Sequence, residues 1–430
     1  MGRNLTQKMV ITTMTGMALL LTGCPKKADE ASAITTKNLY VSSGVCNSGI
    51  GMTTYTAATA SRVISKWDGN SGKFLETFLD LNIATGFSNT LPQQIIDQGD
   101  SVLLLTENAT TMTERKIYKI KKNDPNVFIT KVPNTSIIAA PVATHISRSM
   151  QVDADGMMLM SRSFGIEKFT PIGAFVAGAT AILPYANPAA ASLPCFNAAA
   201  SATNFVGDIA LMTPFTGRSS GKILFANNGT AITDNRLGAI QSTGLTSGTV
   251  ADCAGGAQIS TTAHTLFGTN ISALPAVAFT ANGVNPTSMV YIPTPAPATT
   301  TGKLLVTYAP ALATGLNNTV QLNHAIVMWD VNETSISAIT LTLPTVLYRD
   351  HSVVFAPSAI AYDSTTSSVY VAVSPVIGSA TLTTGNQGYN IEKFTLDLAA
   401  PSLTRVSPDF TPFIKGNAQT KCISSMTMGL

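Results

Sequence analysis

Histidine and charge are both scarce in this chain. It holds only His145, His264, His324 and His351, no two of them at metal-ligand spacing, so no compact histidine-based metal centre is signalled. Charged residues make up 11% of the 430, against about 25% in an average globular protein. Thr, Ala, Ser and Asn take their place, so the expected surface is polar but uncharged. A formal charge of +3 with no cluster of cations excludes electrostatic nucleic-acid binding. Sustained helical periodicity is missing beyond the first two dozen residues, which excludes a helical fold.

The first residues are of a different kind. Arg3 and Lys8 precede the short apolar stretch MVITTMTGMALLL (9–21), which is too short to span a bilayer as a permanent helix. Leu21-Thr22-Gly23-Cys24 follows and resembles the lipobox of bacterial lipoproteins. The resemblance covers only this segment. It implies removal of residues 1–23 as a signal peptide, lipidation of Cys24, and a membrane partner reached through the acyl chains, several of which anchor stably where one does not. Residues 24–35, small and polar, read as a flexible tether. Pro25 stands where Asp signals inner-membrane retention in the enterobacterial pattern, and so favours the outer membrane of a bacterial cell envelope. Without Arg3 and Lys8 the formal charge falls from +3 to +1.

What is abundant is repetition. Six apolar runs, NLYVSS (38–43), SVLLLT (101–106), GMMLMS (156–161), KILFAN (222–227), KLLVTY (303–308) and VYVAVS (369–374), alternate with a tetrapeptide. Its clear copies are Ile64-Ser65-Lys66-Trp67, Ile117-Tyr118-Lys119-Ile120, Ile166-Glu167-Lys168-Phe169 and Ile391-Glu392-Lys393-Phe394. Weaker copies are Ile326-Val327-Met328-Trp329 and Leu237-Gly238-Ala239-Ile240. A short strand precedes each run and another follows each tetrapeptide, so each unit reads as four short strands separated by turns. The motif lysine, flanked by buried neighbours, reads as a solvated outer-strand residue.

Units of this kind resemble the blades of a β-propeller, NHL-like or YVTN-like in general architecture, over residues 36–430. Six four-stranded blades are expected. A seventh within 222–303, at TTAHTLFGTNISALPAVAFT, is the alternative. The first unit lacks the strand before its apolar run, and the chain's last residues, KCISSMTMGL (421–430), are expected to supply it by pairing with 38–43 and closing the ring. With Cys24 lipidated, Cys46, Cys195, Cys253 and Cys422 remain, allowing three pairings. Blade geometry sets Cys422 beside Cys46, which leaves Cys195 for Cys253, and both bonds suit an oxidising compartment.

Motifs for chemistry are weak. Gly217-Arg218-Ser219-Ser220-Gly221 matches a nucleophile elbow in letters, but it precedes a strand and reads as a hairpin turn. Asp153-Ala154-Asp155-Gly156 lacks the later ligands of a calcium loop and reads the same way. Loops between each run and its tetrapeptide should leave one rim. They are rich in Asn, Thr, Gly and Ser, with Tyr55, Asn317, Asn318, Asn386 and Tyr389 as candidate binding residues for an envelope protein or a glycan. The expected function is a non-catalytic binding or assembly platform without cofactor. The alternative is a metal-dependent hydrolase or lactonase-like enzyme working in the central funnel, where Asp97, Asp208 and Asn285 fall near innermost strands.

Overall fold

Runs such as SVLLLT show no polar alternation because the strands they form are buried on both faces. In the computed structural model the described residues are 37–44, 61–87, 90–108, 115–131, 149–152, 158–162, 165–169, 182–184, 205–212, 222–228, 236–241, 284–294, 301–310, 325–335, 338–349, 356–374, 388–408 and 411–430.

The first sheet begins with β1 (Asn38–Ser43), β2 (Val63–Asp68) and β3 (Phe74–Asp80). The second holds β4 (Thr90–Asp97), β5 (Ser101–Asn108), β6 (Arg115–Lys121) and β7 (Asp124–Lys131), and the third holds β8 (Met150–Val152), β9 (Met158–Arg162), β10 (Gly165–Phe169) and β11 (Ile182–Pro184). Three strands form the next: β12 (Phe205–Met212), β13 (Lys222–Asn228) and β14 (Arg236–Gln241). The fifth comprises β15 (Val284–Pro293), β16 (Thr301–Pro310), β17 (Ala325–Ser335) and β18 (Ala338–Arg349), and the sixth β19 (Ala356–Asp363), β20 (Ser368–Ser374), β21 (Asn390–Asp397) and β22 (Ser402–Arg405). Finally β23 (Ile423–Gly429) returns to the first sheet, antiparallel to β1, with Val41 opposite Met426. The last strand therefore completes the first sheet, in the order β23-β1-β2-β3.

The innermost strands pack in succession: β23 against β4, β4 against β8, β8 against β12, β12 against β15, β15 against β19, and β19 back against β23. The fold is an all-β propeller. Its cores lie between sheets, and the alternation of side chains decides which one a residue joins. In β1, Leu39 and Val41 pack with Tyr370 and Ala372 of the sixth sheet, while Tyr40 between them packs with Val102 and Leu104 of the second. In β20, Tyr370 and Ala372 face the first sheet, and Val369, Val371 and Val373 face Leu305 and Ile326 of the fifth.

The same rule explains the tetrapeptide, which falls on the third strand of its sheet. Residues three apart in a strand face opposite ways, so a copy puts one side chain into each flanking core. Ile64 joins Tyr40 and Val102, whereas Trp67 joins Leu39 and Tyr370. Ile391 and Phe394 divide likewise. The motif lysine departs from expectation in the last copy. Lys393 is only 6% exposed; it donates to the Gly69 carbonyl at 2.7 Å and lies 5.3 Å from the Tyr370 ring centroid and 5.0 Å from that of Phe413. Its aliphatic stem belongs to the interface between the first and sixth sheets, and a carbonyl with two aromatic faces replaces the solvent.

Neighbouring strands are antiparallel, so connections alternate between two rims. At one rim emerge the second-to-third-strand segments 44–62, 311–324 and 375–389, together with the crossovers from sheet to sheet. At the other, β4 reaches β5 through 98–100 and β19 reaches β20 through 364–367. The turn after β2 shows why this rim can be tight: Asp68 Oδ1 accepts the N–H groups of Asn70 (3.0 Å) and Ser71 (2.7 Å), and Gly72 takes φ +69, a conformation that glycine adopts without strain.

Candidate functional site

The site grows from an irregularity shared by five of the innermost strands, β4, β12, β15, β19 and β23. Each presents one free edge to the central channel, where proline and bulges are tolerated because no ladder bond is lost. Pro92, Pro286 and Pro357 stand at the same register position of β4, β15 and β19, each followed by a one-residue bulge: Gln93, Thr287 and Ser358. The register shifts at the same place in β12, at Gly207, and in β23, at Ser424. A bulge re-aims the side chain that follows it. Here that residue is Gln94, Asp208, Ser288, Ala359 or Ser425.

Three of these residues, together with Ser149 just before β8, latch one sheet to the next. The Ile95 N–H donates to Ser425 Oγ (3.3 Å), the Met150 N–H to Gln94 Oε1, the Ile209 N–H to Ser149 Oγ (3.1 Å), and the Met289 N–H to Asp208 Oδ2 (2.6 Å). In every case the donor is the residue just after the latch position of its own strand. A side chain thus satisfies an edge N–H that no strand covers.

Between the innermost strands lies a cavity of about 250 Å³, lined among others by Gln94, Gln151, Asp208, Thr287, Ser358 and Ser425. Asp208 is 7% exposed. Burial pushes its carboxyl up to about 6, against hydrogen bonds from Ser149, the Met289 and Ile209 N–H groups and Ser288, which pull the other way. Lys37 also lines the cavity, and its ammonium is engaged by Asp363 at 2.9 Å.

Of the residues expected from sequence to hold a metal, only Asp208 lines this cavity. Asp97, at the end of β4, pairs with Lys122 instead. Asn285 lies on β15, one residue before Pro286, and its side chain is not described. No group of three His, Cys, Asp or Glu side chains converges among the described residues. Tyr389, expected in a binding loop, is 1% exposed and packs with Ile391, Ile414 and Ile423 in the core between the first and sixth sheets, so it is not a surface contact. Its N–H donates to the Thr420 carbonyl at 2.8 Å, docking the start of β21 on the segment that leads to β23. Tyr55, Asn317, Asn318 and Asn386 lie outside the described residues, as do Cys24, Cys46, Cys195, Cys253 and the stretch 261–280 considered for a seventh blade. The Gly44 N–H donates to the Cys422 carbonyl at 3.1 Å. The latch positions themselves escaped the sequence reading. Their one sequence signal is proline two residues before them, in LPQQII, NPTSMV and APSAIA.

No protein-family model matches the chain, and no curated protein matches it in sequence. Among solved structures, the periplasmic gluconolactonase of Pseudomonas aeruginosa superposes with a TM-score of 0.42 at 9% identity, over 87% of this chain and 82% of that one. A protein of unknown function from Bacteroides caccae gives 0.41 at 8% identity, over 92% and 99%. The WD40 repeats of RRP9 give 0.37 at 8%, over 87% and 79%. Similarity at this level says nothing of activity.

Proposed function

We propose that this chain is a lipid-anchored propeller of six blades in a bacterial cell envelope, on the outer membrane, acting as a non-catalytic binding or assembly platform. The observation that carries this reading is the length of the second-to-third-strand connections in the first, fifth and sixth sheets. Long second-to-third-strand connections, 44–62, 311–324 and 375–389, begin and end at one rim of a rigid scaffold, which is where binding residues concentrate in such folds. Their Asn, Thr, Gly and Ser content suits an uncharged partner, a protein surface or a glycan. The closed succession of innermost strands supports the count of six. The lipobox supports lipidation at Cys24, and with it an oxidising compartment in which Cys46 joins Cys422 and Cys195 joins Cys253.

The enzymatic alternative draws on Asp208 in the channel. It is the less favoured reading because both carboxylate oxygens already accept backbone N–H groups, from Ile209 and Met289. The test is replacement of 311–324 and 375–387 by Gly-Ser linkers of equal length, followed by co-purification from solubilised envelope. The platform reading expects the wild type to retain a partner that the loop variant loses at unchanged thermal stability. Identical co-purification by both overturns it. For the anchor, Cys24→Ala is expected to abolish acyl labelling and leave an unprocessed precursor.

A further inference from the structure

The chain enters the propeller at a fixed place. Asn38 opens β1 opposite Asp68 and Gly429, the last residues of β2 and β23. Residue 37 therefore stands on the rim of the β2–β3 turn, opposite the rim from which 44–62, 311–324 and 375–389 leave. Two contacts hold it there. The Lys37 carbonyl accepts the N–H of Gly69, in the turn after β2, at 3.3 Å, and its ammonium reaches Asp363, the last residue of β19, at 2.9 Å. Backbone and side chain tie residue 37 to the first and sixth sheets at once, so the point where residues 24–36 join the propeller is fixed on that rim.

We infer that the tether holds the β2–β3 rim toward the lipid bilayer and turns the long connections away from it, toward a partner that is not embedded in the same membrane. The inference rests on lipidation at Cys24 and adds an orientation to that reading. Length decides it. Cys24 and Lys37 are thirteen residues apart, which span at most about 45 Å fully extended, whereas a coil of that length spans about 20 Å on average. Two strands, β2 and β3, lie outside β1 in the first sheet, and the space between sheets is filled by their cores. A bilayer on the far side would force the tether out past those two strands and up the height of the sheet from residue 37 to residue 44. That path takes about 33 Å before any loop is cleared, well beyond the average coil. The near rim needs none of it. With the near rim down, the long connections stand on the order of 40 Å above the bilayer, out of reach of a partner confined to the headgroup level.

The experiment sets one fluorescent label at either end of β3 in the lipidated chain, reconstituted in phosphatidylethanolamine–phosphatidylglycerol vesicles that carry an acceptor dye on their headgroups. Lys73→Cys lies in the turn before β3, and Ile83→Cys lies beyond its other end, in the crossover to β4; both positions are exposed. Labelling is done without reductant, with the chain lacking an introduced cysteine as the blank. Energy transfer from position 73 is expected to exceed that from position 83 by at least about twofold, given the difference in height. A Gly-Ser linker inserted after Ala33, equal in length to the tether, should bring the two efficiencies together. Equal transfer from both positions with the native tether, stronger transfer from 83, or a difference indifferent to the insertion overturns the orientation and leaves the anchor standing. Failure of the wild type to float with the vesicles overturns the anchor reading and the orientation with it.

Discussion

Ser425 accepts the N–H of Ile95 at 3.3 Å across a sequence separation of 330 residues. Two neighbours on β23 repeat the contact on β4: Ser424 Oγ donates to the Pro92 carbonyl at 3.1 Å, and Thr427 Oγ1 accepts the Asp97 N–H at 3.3 Å. Hydroxyls of the last strand thus clip the first sheet to the second, while the ladder with β1 places that strand in the first sheet.

Removing one clip and removing the strand should therefore differ in kind. Ser425→Ala strips the acceptor from a buried N–H and should cost about 1–3 kcal/mol with cooperative unfolding preserved. Deletion of 421–430 takes away the innermost strand and bares the apolar core around Leu39, Val41 and Ile391, so dye binding to exposed apolar surface and loss of a single transition are expected. A truncated chain as stable as the whole contradicts ring closure by β23.

Asp208 predicts an acid-side gain in stability. Burial pushes its pKa up to about 6, above the ordinary 3.8 of an aspartate, so the folded state holds the proton more tightly than the unfolded one. The contribution is complete below about pH 4 and is lost as pH rises through 6, a swing of about 3 kcal/mol at most. Its hydrogen-bonding neighbours Ser149 and Ser288 do not titrate there, and Lys37 is the other charged residue lining the cavity. Melting temperature followed from pH 8 to pH 4 should therefore rise through this window, and Asp208→Asn should flatten the rise.

The parts of this fold legible in sequence were those fixed by burial on two faces. A run such as SVLLLT stays apolar because Val102 and Leu104 face one core and Leu103 and Leu105 the other, and the tetrapeptide repeats because Ile64 and Trp67 must do likewise. The missing inner strand of the first unit was legible as an absence. The latches were not, because the bulge breaks the two-residue period and any acceptor suffices: Ser425, Gln94, Ser149 and Asp208 share a task but span three side-chain types. Lys393 misled for a related reason. Its letter is that of a solvated residue, and only the approach of Gly69 from another sheet gives its ammonium a buried acceptor.

Cystine mapping tests the register at the rim. Ser43 lies opposite Ile423, and the Gly44 N–H reaches the Cys422 carbonyl, two residues before Cys46. Cys422 is buried at 4% exposure and held at φ +55, so it starts β23 from a fixed geometry. Non-reducing peptide mapping should recover Cys46 with Cys422, and reduction should lower stability by about 3–5 kcal/mol in the loop-entropy account. Recovery of Cys46 with Cys195 or Cys253 contradicts the expected pairing.

Two lysines, Lys37 just before β1 and Lys66 on β2, each paired with one carboxylate, should respond differently to removal. Lys66 reaches Glu76 at 3.0 Å, but the Glu76 side chain is 54% exposed and water can replace its partner. Lys37 reaches Asp363 at 2.9 Å, and that side chain is only 4% exposed. Burial works against the Asp363 charge, yet hydrogen bonds from Lys37, Thr366 and the Thr365 N–H hold its pKa below the ordinary carboxylate value. A depressed pKa gives stability that is present above about pH 4 and lost as pH falls through the folded value. Lys37→Ala should therefore cost about 1–3 kcal/mol at neutral pH and move the acid loss to higher pH, whereas Lys66→Ala should cost under about 1 kcal/mol and leave the acid limb in place. Thermal melts of the two variants between pH 3 and 7 decide the matter. Equal losses would mean that the Lys37 contact adds nothing to the closure between the first and sixth sheets.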